Sequence, residues 1–228
     1  MSTVQLTGNG FGGLVQGNYG TYQAASDGTW TVDTRDAPAL LTQGFAYVNH
    51  LSKAFTLPLA PAAATVATIV ASGALSNGSV SVAANPDTMR QVTFEVGTGT
   101  TAITGGTATV TYIGNDGQSG SDVFPLNCTA STSVTQYLSR GVQTISAVTI
   151  AGLAGGTSPW RRMSTTTAVS VPVDPGAVDF TVTREYDAGA TIAVGALVAA
   201  SLGTITPTTA PNATVTYSFD YNFVAPVF

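Results

Sequence analysis

The sequence predicts an all-β protein: a β-sandwich of the jelly-roll or immunoglobulin-like kind, preceded by a small N-terminal β module that contains one short helix. After residue 65, short runs rich in Val, Thr, Tyr and Phe are separated by Gly, Asn, Asp and Pro clusters at the spacing of a sandwich or barrel. The segment 91–96 (QVTFEV) alternates apolar and polar residues, as a strand with one solvated face does. Helix signals are convincing only in 34–44 (TRDAPALLTQG).

We expect three parts along the chain. Residues 1–50 form an N-terminal arm and docking module, residues 51–64 form a Pro/Ala-rich linker, and residues 65–228 form the sandwich domain. The Gly-rich residues 1–18 have only isolated apolar side chains, so alone in solution they are predicted to be a mobile tail. The boundary at 51–64 rests on its two prolines and alanine run.

The segment Tyr19–Val48 has the clearest local plan. It contains an Asp27-Gly28 turn, a short strand at 29–32, a helix and a second strand at 45–48.

Within that segment, the helix is predicted from its ends. Asp36 is a plausible N-cap, and Pro38 lies in the first turn, where proline is tolerated. Leu40 and Leu41 are expected to face the core, and Gly44 fits a left-handed C-terminal cap.

The main domain is predicted to be built from strands joined by short turns. Asn115-Asp116-Gly117 is expected to form a hairpin loop, because Asp-Gly tolerates positive φ. The expected strands are 65–71, 79–83, 91–96, 107–113, 121–126, 132–137, 142–150, 166–173, 177–184, 190–199 and 213–224.

Charged residues are scarce: they make up 8% of the chain, against about 25% in an ordinary soluble domain. The wet surface must therefore be built from Ser, Thr, Asn, Gln and Gly, which are much easier to desolvate than ions. Two interpretations remain open, a Thr-rich surface β-protein and a subunit held in contact with neighbours. The net charge of −5 and pI near 4.4 argue against nucleic-acid binding, which needs clustered cations.

Neither membrane insertion nor secretion is indicated. The uncharged stretches 54–86 and 188–219 are interrupted by prolines and lack the ~20 continuous apolar residues of a spanning helix. The N-terminal residues have no basic and apolar regions of a signal peptide. We expect no membrane contact.

Catalytic and metal chemistry are poorly supported. His50 and Cys128 are the single histidine and single cysteine, which serves neither a zinc site nor a catalytic triad well. The surroundings of Cys128 supply no positive charge, so a buried, inert thiol is expected. Asp116 and Asp122 flank the hairpin loop, and Asp174, Asp179, Glu185 and Asp187 lie in one later segment. None of them matches a calcium loop, and solvated carboxylates are the preferred interpretation. We therefore expect a non-enzymatic protein without cofactor or metal.

Contact residues are the more informative feature. Trp160-Arg161-Arg162-Met163 follows the Gly-rich loop 152–159 and combines residue types that are enriched at interfaces. The alternative is a tryptophan that covers one end of the sandwich beside two solvated arginines. The candidate protein-interface residues are Phe11, Leu14, Tyr22, Trp30, Leu40, Leu41, Trp160, Arg161, Arg162 and Phe228.

Two segments carry a family resemblance. GTYQAASDGTWTVDTRDAPALLTQGF (20–45) resembles a short N-terminal module of tailed-phage virion proteins, with its G-x-Y, D-G turn and D-x-x-x-L-L pattern. TATVTYIGNDGQSGSDVFPLN (107–127), followed by VQTISAVTI (142–150), is similar to a phage β-sandwich pattern. The chain thus resembles tailed-phage structural proteins, in particular head decoration (cement) proteins.

The resemblance implies a function in the virion. It implies a protein made in the host cytoplasm that binds the major capsid protein on the capsid surface, self-associates as a homotrimer and stabilises contacts between capsomers. The alternative is a tail-tube, tail-fibre or head-fibre subunit. A third hypothesis is an extracellular carbohydrate-binding β-domain. No catalytic residues come with the resemblance.

Overall fold

The computed structural model describes residues 3–8, 14–25, 29–43, 45–66, 68–175, 177–198 and 201–227. These residues are almost entirely in strands and turns, with one short helix, which confirms the predicted all-β class. The elements are β1 (Thr3–Gly8), β2 (Leu14–Gln16), β3 (Thr21–Gln23), β4 (Thr29–Asp33), α1 (Ala37–Thr42), β5 (Phe45–Thr56), β6 (Val70–Ala74), β7 (Gly78–Ser79), β8 (Arg90–Gly97), β9 (Ile103–Gly114), β10 (Ser119–Pro125), β11 (Ser133–Tyr137), β12 (Val142–Gly155), β13 (Trp160–Ser170), β14 (Val178–Asp187), β15 (Ala190–Ile192), β16 (Ala196–Leu197), β17 (Thr204–Thr206) and β18 (Tyr217–Val227).

The strands pair into three sheets. One has six strands in the order β15-β14-β18-β5-β1-β4, and β2 and β3 form a two-stranded ribbon. The third has ten strands along the path β10-β9-β12-β8-β13-β17-β16, with β11, β6 and β7 paired at its sides. The chain forms two compact units: Met1–Lys53, Asp174–Thr181 and Tyr221–Phe228 belong to the first, and Ala54–Val173 and Val182–Asp220 to the second.

The first unit has a small core of its own. Strand β1 pairs antiparallel with β4 on one side and β5 on the other. The rings of Trp30 and Phe45 meet edge to face at 5.3 Å between centroids. Leu6, Val32 and Leu40 are buried beside them, so helix α1 contributes Leu40 to this core.

Most of the predicted local elements of this unit are present. The strands at 29–32 and 45–48 and the short helix are confirmed. The prediction of a tail over 1–18 is wrong for Thr3–Gly8, because β4 and β5 satisfy its backbone hydrogen bonds. Gly44 and the Asp27-Gly28 turn lie outside the described residues.

The second unit is a sandwich made by one sheet that folds over itself. Strands β12 and β8 pair at a single position, Val142 opposite Arg90. On one side of this point lie β10, β9 and β12, and on the other β11, β8 and β13. The main core draws side chains from both arms. Phe94 of β8 and Phe124 of β10, for example, stack with 5.9 Å between ring centroids.

The hairpin at residues 115–117 is confirmed. Strands β9 and β10 pair antiparallel with Ile113 opposite Ser119. Gly117 has φ +72°, the conformation that favours glycine in such a turn.

Several predicted strands are shorter than expected. Strand β6 begins at Val70 rather than at residue 65, only Ser79 of the predicted strand 79–83 is in a strand (β7), and 190–199 is interrupted between β15 and β16. Ile69 N–H donates to the Met163 carbonyl, and Ala83 N–H donates to the Ile69 carbonyl. These segments are therefore held by isolated backbone bonds rather than by a continuous ladder, so their β-like composition does not make them strands.

Part of the expected linker is regular structure. Residues 51–56 continue strand β5. Beyond it, Leu57 N–H donates to the Tyr217 carbonyl, and the Pro61 carbonyl accepts from Ala213 N–H. The segment 57–64 is thereby anchored within the second unit.

Candidate functional site

A carboxylate organises the surface of the first unit. Asp36 is 1% exposed, and its carboxylate accepts hydrogen bonds from Asn18 N–H (2.8 Å), Tyr19 N–H (3.0 Å) and the Tyr22 hydroxyl (2.5 Å). Asp36 occupies the predicted N-cap position, but its side chain makes no capping bond to α1. The predicted N-cap position is confirmed, and the carboxylate binds the β2–β3 ribbon rather than the first turn of α1.

The electrostatics of this carboxylate follow from its partners. Burial by itself raises the pKa of Asp36, but the hydrogen bonds from Tyr22 and from the Tyr19 and Asn18 amides outweigh burial and hold it below its ordinary value. The ionised form is thus the one that binds the ribbon. Close packing supports the arrangement: a Cβ added at Gly17 would lie 2.1 Å from Asp36 Oδ2.

An ion pair lies next to it. Arg35 donates to Asp33 through Nη2 (2.6 Å) and Nε (2.9 Å), which keeps the pKa of Asp33 well below its usual range. The Arg35 guanidinium also lies 4.1 Å from the centroid of the Tyr19 ring. Tyr19 is 59% exposed and Leu14 66% exposed, so this arrangement holds two apolar side chains at the surface.

The candidate interface residues of the module separate into two groups. Leu14 is exposed, whereas Tyr22 and Leu41 are half-buried. Trp30 and Leu40 are 2% and 1% exposed, so they are corrected here from interface to core residues, because the apolar faces of β4 and α1 both point inward.

Sequence reasoning did not include Tyr19 among the contact residues. The signal available was its position in a turn-rich segment ahead of the module. Phe11 and Phe228 lie outside the described residues.

Trp160 and Arg162 form the second predicted contact cluster. The Arg162 guanidinium lies 5.1 Å from the centroid of the Trp160 ring. It donates to Glu95 through Nε (2.7 Å) and pairs with the same carboxylate through Nη2 (2.6 Å). Glu95 is the cross-strand partner of Arg162 between β8 and β13. Trp160 lies opposite Gly97, where an added Cβ would come 2.4 Å from its ring.

The neighbouring residues are also engaged within the chain. Arg161 donates from Nη1 to the Ala71 carbonyl at 3.1 Å, and Met163 is fully buried. Both arginines are half-buried. The alternative of two freely solvated arginines is therefore wrong, and the cluster is a half-buried face whose polar groups bond to neighbouring strands.

Most Lys and Arg side chains of the described structure pair with carboxylates of the same chain. Five of the seven Lys and Arg residues of the chain form ion pairs with its own carboxylates. The pairs are Arg35–Asp33, Lys53–Asp174, Arg90–Asp87, Arg140–Asp116 and Arg162–Glu95. Most of the few cations thus serve intrachain contacts.

Residues considered for chemistry also have structural partners. Cys128 is 3% exposed, and its Sγ donates to the Thr132 carbonyl at 3.2 Å. Asp122 accepts from Ser139 N–H at 2.7 Å. No group of three or more His, Cys, Asp or Glu residues that could hold a metal ion occurs within the described residues. The side chain of His50 is outside them.

Three buried polar residues were not anticipated from the sequence. Asn115 donates from Nδ2 to the carbonyls of Val171 (3.0 Å) and Leu202 (2.9 Å). Glu185 and Arg90 are almost fully buried, and burial raises the pKa of Glu185 although two backbone amides donate to it. The expectation of a solvated carboxylate is wrong for Glu185, because its oxygens accept from the Gly195 and Thr208 amides inside the fold.

No helix in the described ranges has the length and hydropathy of a membrane span. Comparison of the chain with protein-family models, curated proteins and solved structures finds no match.

Proposed function

We propose that this protein is a non-enzymatic structural subunit of a tailed-phage particle: a head decoration protein that binds the major capsid protein as a homotrimer and stabilises contacts between capsomers. The observation that carries the proposal is the use of charge. Five ion pairs use five of the seven Lys and Arg residues of the chain, and charged residues make up only 8% of the sequence.

Such a surface suits permanent contact with other proteins. Burying a charged side chain is costly unless it is paired, whereas hydroxyls and amides regain their hydrogen bonds from a partner at much lower cost. Ion pairs that are already formed within the chain need not be broken when a neighbour covers them. A neighbouring protein can therefore cover a large area of this surface without burying unpaired charges.

Edge strands supply a second supporting feature. Among the described strands, β10 pairs only with β9, and β11 pairs only with β8. Strand β11 (SVTQY) has no charged residue and no proline, the residues that commonly protect an edge from pairing. Its Tyr137 is 52% exposed, and Val123 on β10 is 60% exposed. Backbone groups and apolar side chains at such edges can add strands from neighbouring subunits.

Direct localisation tests the proposal. Antibodies against the purified chain, applied to particles of the phage that encodes it, are expected to label the head in negative-stain images. Labelling confined to the tail supports the alternative of a tail or fibre subunit, and an absence of label on intact and opened particles contradicts both. Saturable glycan binding by the isolated protein supports the carbohydrate-binding hypothesis instead.

A binding assay tests the role of the surface. Purified protein is expected to co-sediment with heads that lack it, and analytical ultracentrifugation is expected to give the mass of three chains. Tyr137→Lys adds a charge to the β11 edge and is expected to weaken co-sedimentation. Thr135→Lys is a matched control on the same strand, since Thr135 is also exposed; an equal loss in both variants points to the backbone edge rather than to Tyr137.

Deletion of residues 1–48 tests whether the N-terminal module anchors the protein to the capsid. Undiminished co-sedimentation of the shortened protein with heads would contradict this role.

A further inference from the structure

A solvent-open cavity of about 220 Å³ lies within the second unit. Arg90 of β8 and Thr165 of β13 line it, together with the loop 84–87 and with Ala62, Ala63, Thr65, Thr68 and Ile69. Ala63 and Ala84, which line it, are exposed. The cavity thus connects solvent to residues that are otherwise buried.

Arg90 is the unusual member of this lining. It is 1% exposed, yet its guanidinium has few partners. Nη2 donates to the Ala62 carbonyl at 2.6 Å, and Nη1 reaches Asp87 Oδ1 only at 3.2 Å. Nε is buried and has no acceptor. A guanidinium has five N–H donors, so much of its capacity is unused.

Asp87 compensates this charge only partly. Its carboxylate also accepts hydrogen bonds from Ala62 N–H at 2.6 Å and Thr88 N–H at 3.0 Å, and a third of its side chain is exposed to solvent. Burial lowers the pKa of Arg90 and outweighs the opposing effect of Asp87. A buried cation with incomplete pairing is unfavourable, so the fold holds Arg90 in a state that a further acceptor would stabilise.

The remaining walls are apolar. Ile69, Pro86 and the alanines Ala62, Ala63 and Ala84 supply them, with three threonines and Asn85 beside them. A cavity of about 150 Å³ lined by apolar side chains accommodates benzene. The present cavity therefore has room for one ring or a short aliphatic chain together with a carboxylate.

We propose that this cavity is a binding site for a small carboxylate with an apolar body. The carboxylate accepts hydrogen bonds from Arg90, and the apolar body lies against Ile69 and Pro86. The site does not depend on the structural function proposed above, since it lies on a single chain and needs no neighbouring subunit.

Benzoate, benzyl alcohol and acetate are suitable probes for the full-length protein. Benzoate is expected to bind saturably and to shift the ¹⁵Nε–H resonance of Arg90, which is assigned among the six arginines by its loss in Arg90→Lys. Because charge-assisted hydrogen bonds are roughly twice as strong as neutral ones, benzyl alcohol should bind at least about tenfold more weakly. Acetate should also bind more weakly, because it lacks the apolar body.

Two substitutions at alanine positions test the location of the binding site and leave Arg90 unchanged. Ala84→Phe places a ring at a lining position and should abolish benzoate binding. Ala83→Phe is the matched control, since Ala83 is exposed and is not part of the lining, and it should bind as the parent does. Arg90→Met should lose binding if the variant folds, and the Ala84→Phe result decides the matter if it does not.

The proposal is overturned by any of three results. These are no saturable benzoate binding up to about 50 mM, well above a Kd of about 1 mM; equal affinity for benzyl alcohol; and undiminished binding to Ala84→Phe.

Discussion

The Tyr22 hydroxyl donates to Asp36 Oδ2 over 2.5 Å and so joins the β2–β3 ribbon to the residue that precedes helix α1. Tyr22→Phe removes this bond and leaves a nearly buried carboxylate oxygen with one donor fewer. We expect the thermal midpoint to fall by about 2–4 °C, the size typical of one hydrogen bond in a chain of this length.

Tyr19→Phe is the control for that variant. It keeps the ring beside Arg35 and alters an exposed residue, so its midpoint should match the parent within error in the same calorimetric scan. Equal losses in the two variants would contradict a specific role for the Tyr22 hydroxyl.

Asp36 and Glu185 are expected to titrate on opposite sides of their ordinary pKa values. Hydrogen bonds lower the pKa of Asp36 despite its burial, whereas burial raises that of Glu185. The stability that Asp36 contributes is therefore present above its unfolded pKa and is lost as the pH falls through its folded value. Protonation of Glu185 favours the folded state, so stability falls as the pH rises from its unfolded value of about 4.5 through its folded value.

Carbon-13 NMR of the side-chain carboxyl groups measures both values directly. Replacement of Asp36 by Asn should make the free energy of unfolding depend less on pH in the acidic range. A shift of both carboxyl groups in the same direction would contradict this assignment.

Gly97 makes room for the Trp160 ring. Gly97→Ala places a Cβ 2.4 Å from ring atoms, so the indole must shift and its contact with Arg162 changes. We expect a loss of about 1–3 kcal/mol in the free energy of unfolding, as in other overpacked sites, together with a change in tryptophan fluorescence.

Gly105→Ala provides a matched comparison on β9. Its added Cβ would meet only Ala154 Cβ, at 3.6 Å, which is an ordinary contact distance. Its stability and fluorescence should stay close to the parent's. If the two variants behave alike, the crowding at Gly97 is not what constrains the tryptophan.

Asn115 links three segments of the sandwich through Val171 and Leu202. Asn115→Ala leaves two carbonyls without their donor, and we expect a loss of about 2–4 kcal/mol in chemical denaturation, from one to two kcal/mol for each bond. Asn77→Ala removes one exposed hydrogen bond, to Leu153 N–H, and should cost under about 1 kcal/mol. A larger loss of stability in Asn77→Ala than in Asn115→Ala would contradict the structural role given to Asn115.

Cys128 should resist thiol reagents in the native protein. It is 3% exposed and its Sγ donates to the Thr132 carbonyl, so modification requires opening of the sandwich. Labelling by a colourimetric disulfide reagent should be slow without denaturant and immediate in guanidinium chloride. Rapid stoichiometric labelling of the folded protein would contradict the burial.

Features that depend on near neighbours could be predicted from the sequence. Alternation in 91–96 predicted strand β8, which is present. The solvated face expected for it is wrong, because Gln91 and Thr93 are buried as well as Val92 and Phe94. The turn at Gly117 and the helix after Asp36 follow in the same way from backbone preferences within a few residues. The all-β class is the sum of such local signals.

The sequence does not show which residues meet across the chain. The tertiary structure assigned Asp36 to the ribbon rather than to its own helix, put Trp30 and Leu40 in a core rather than at an interface, and enclosed Arg90 beside a cavity. These outcomes depend on partners that are distant in sequence, such as Ala62 for Arg90. A residue's type shows that it needs a partner, but which partner it finds is set by the packing of the whole sheet.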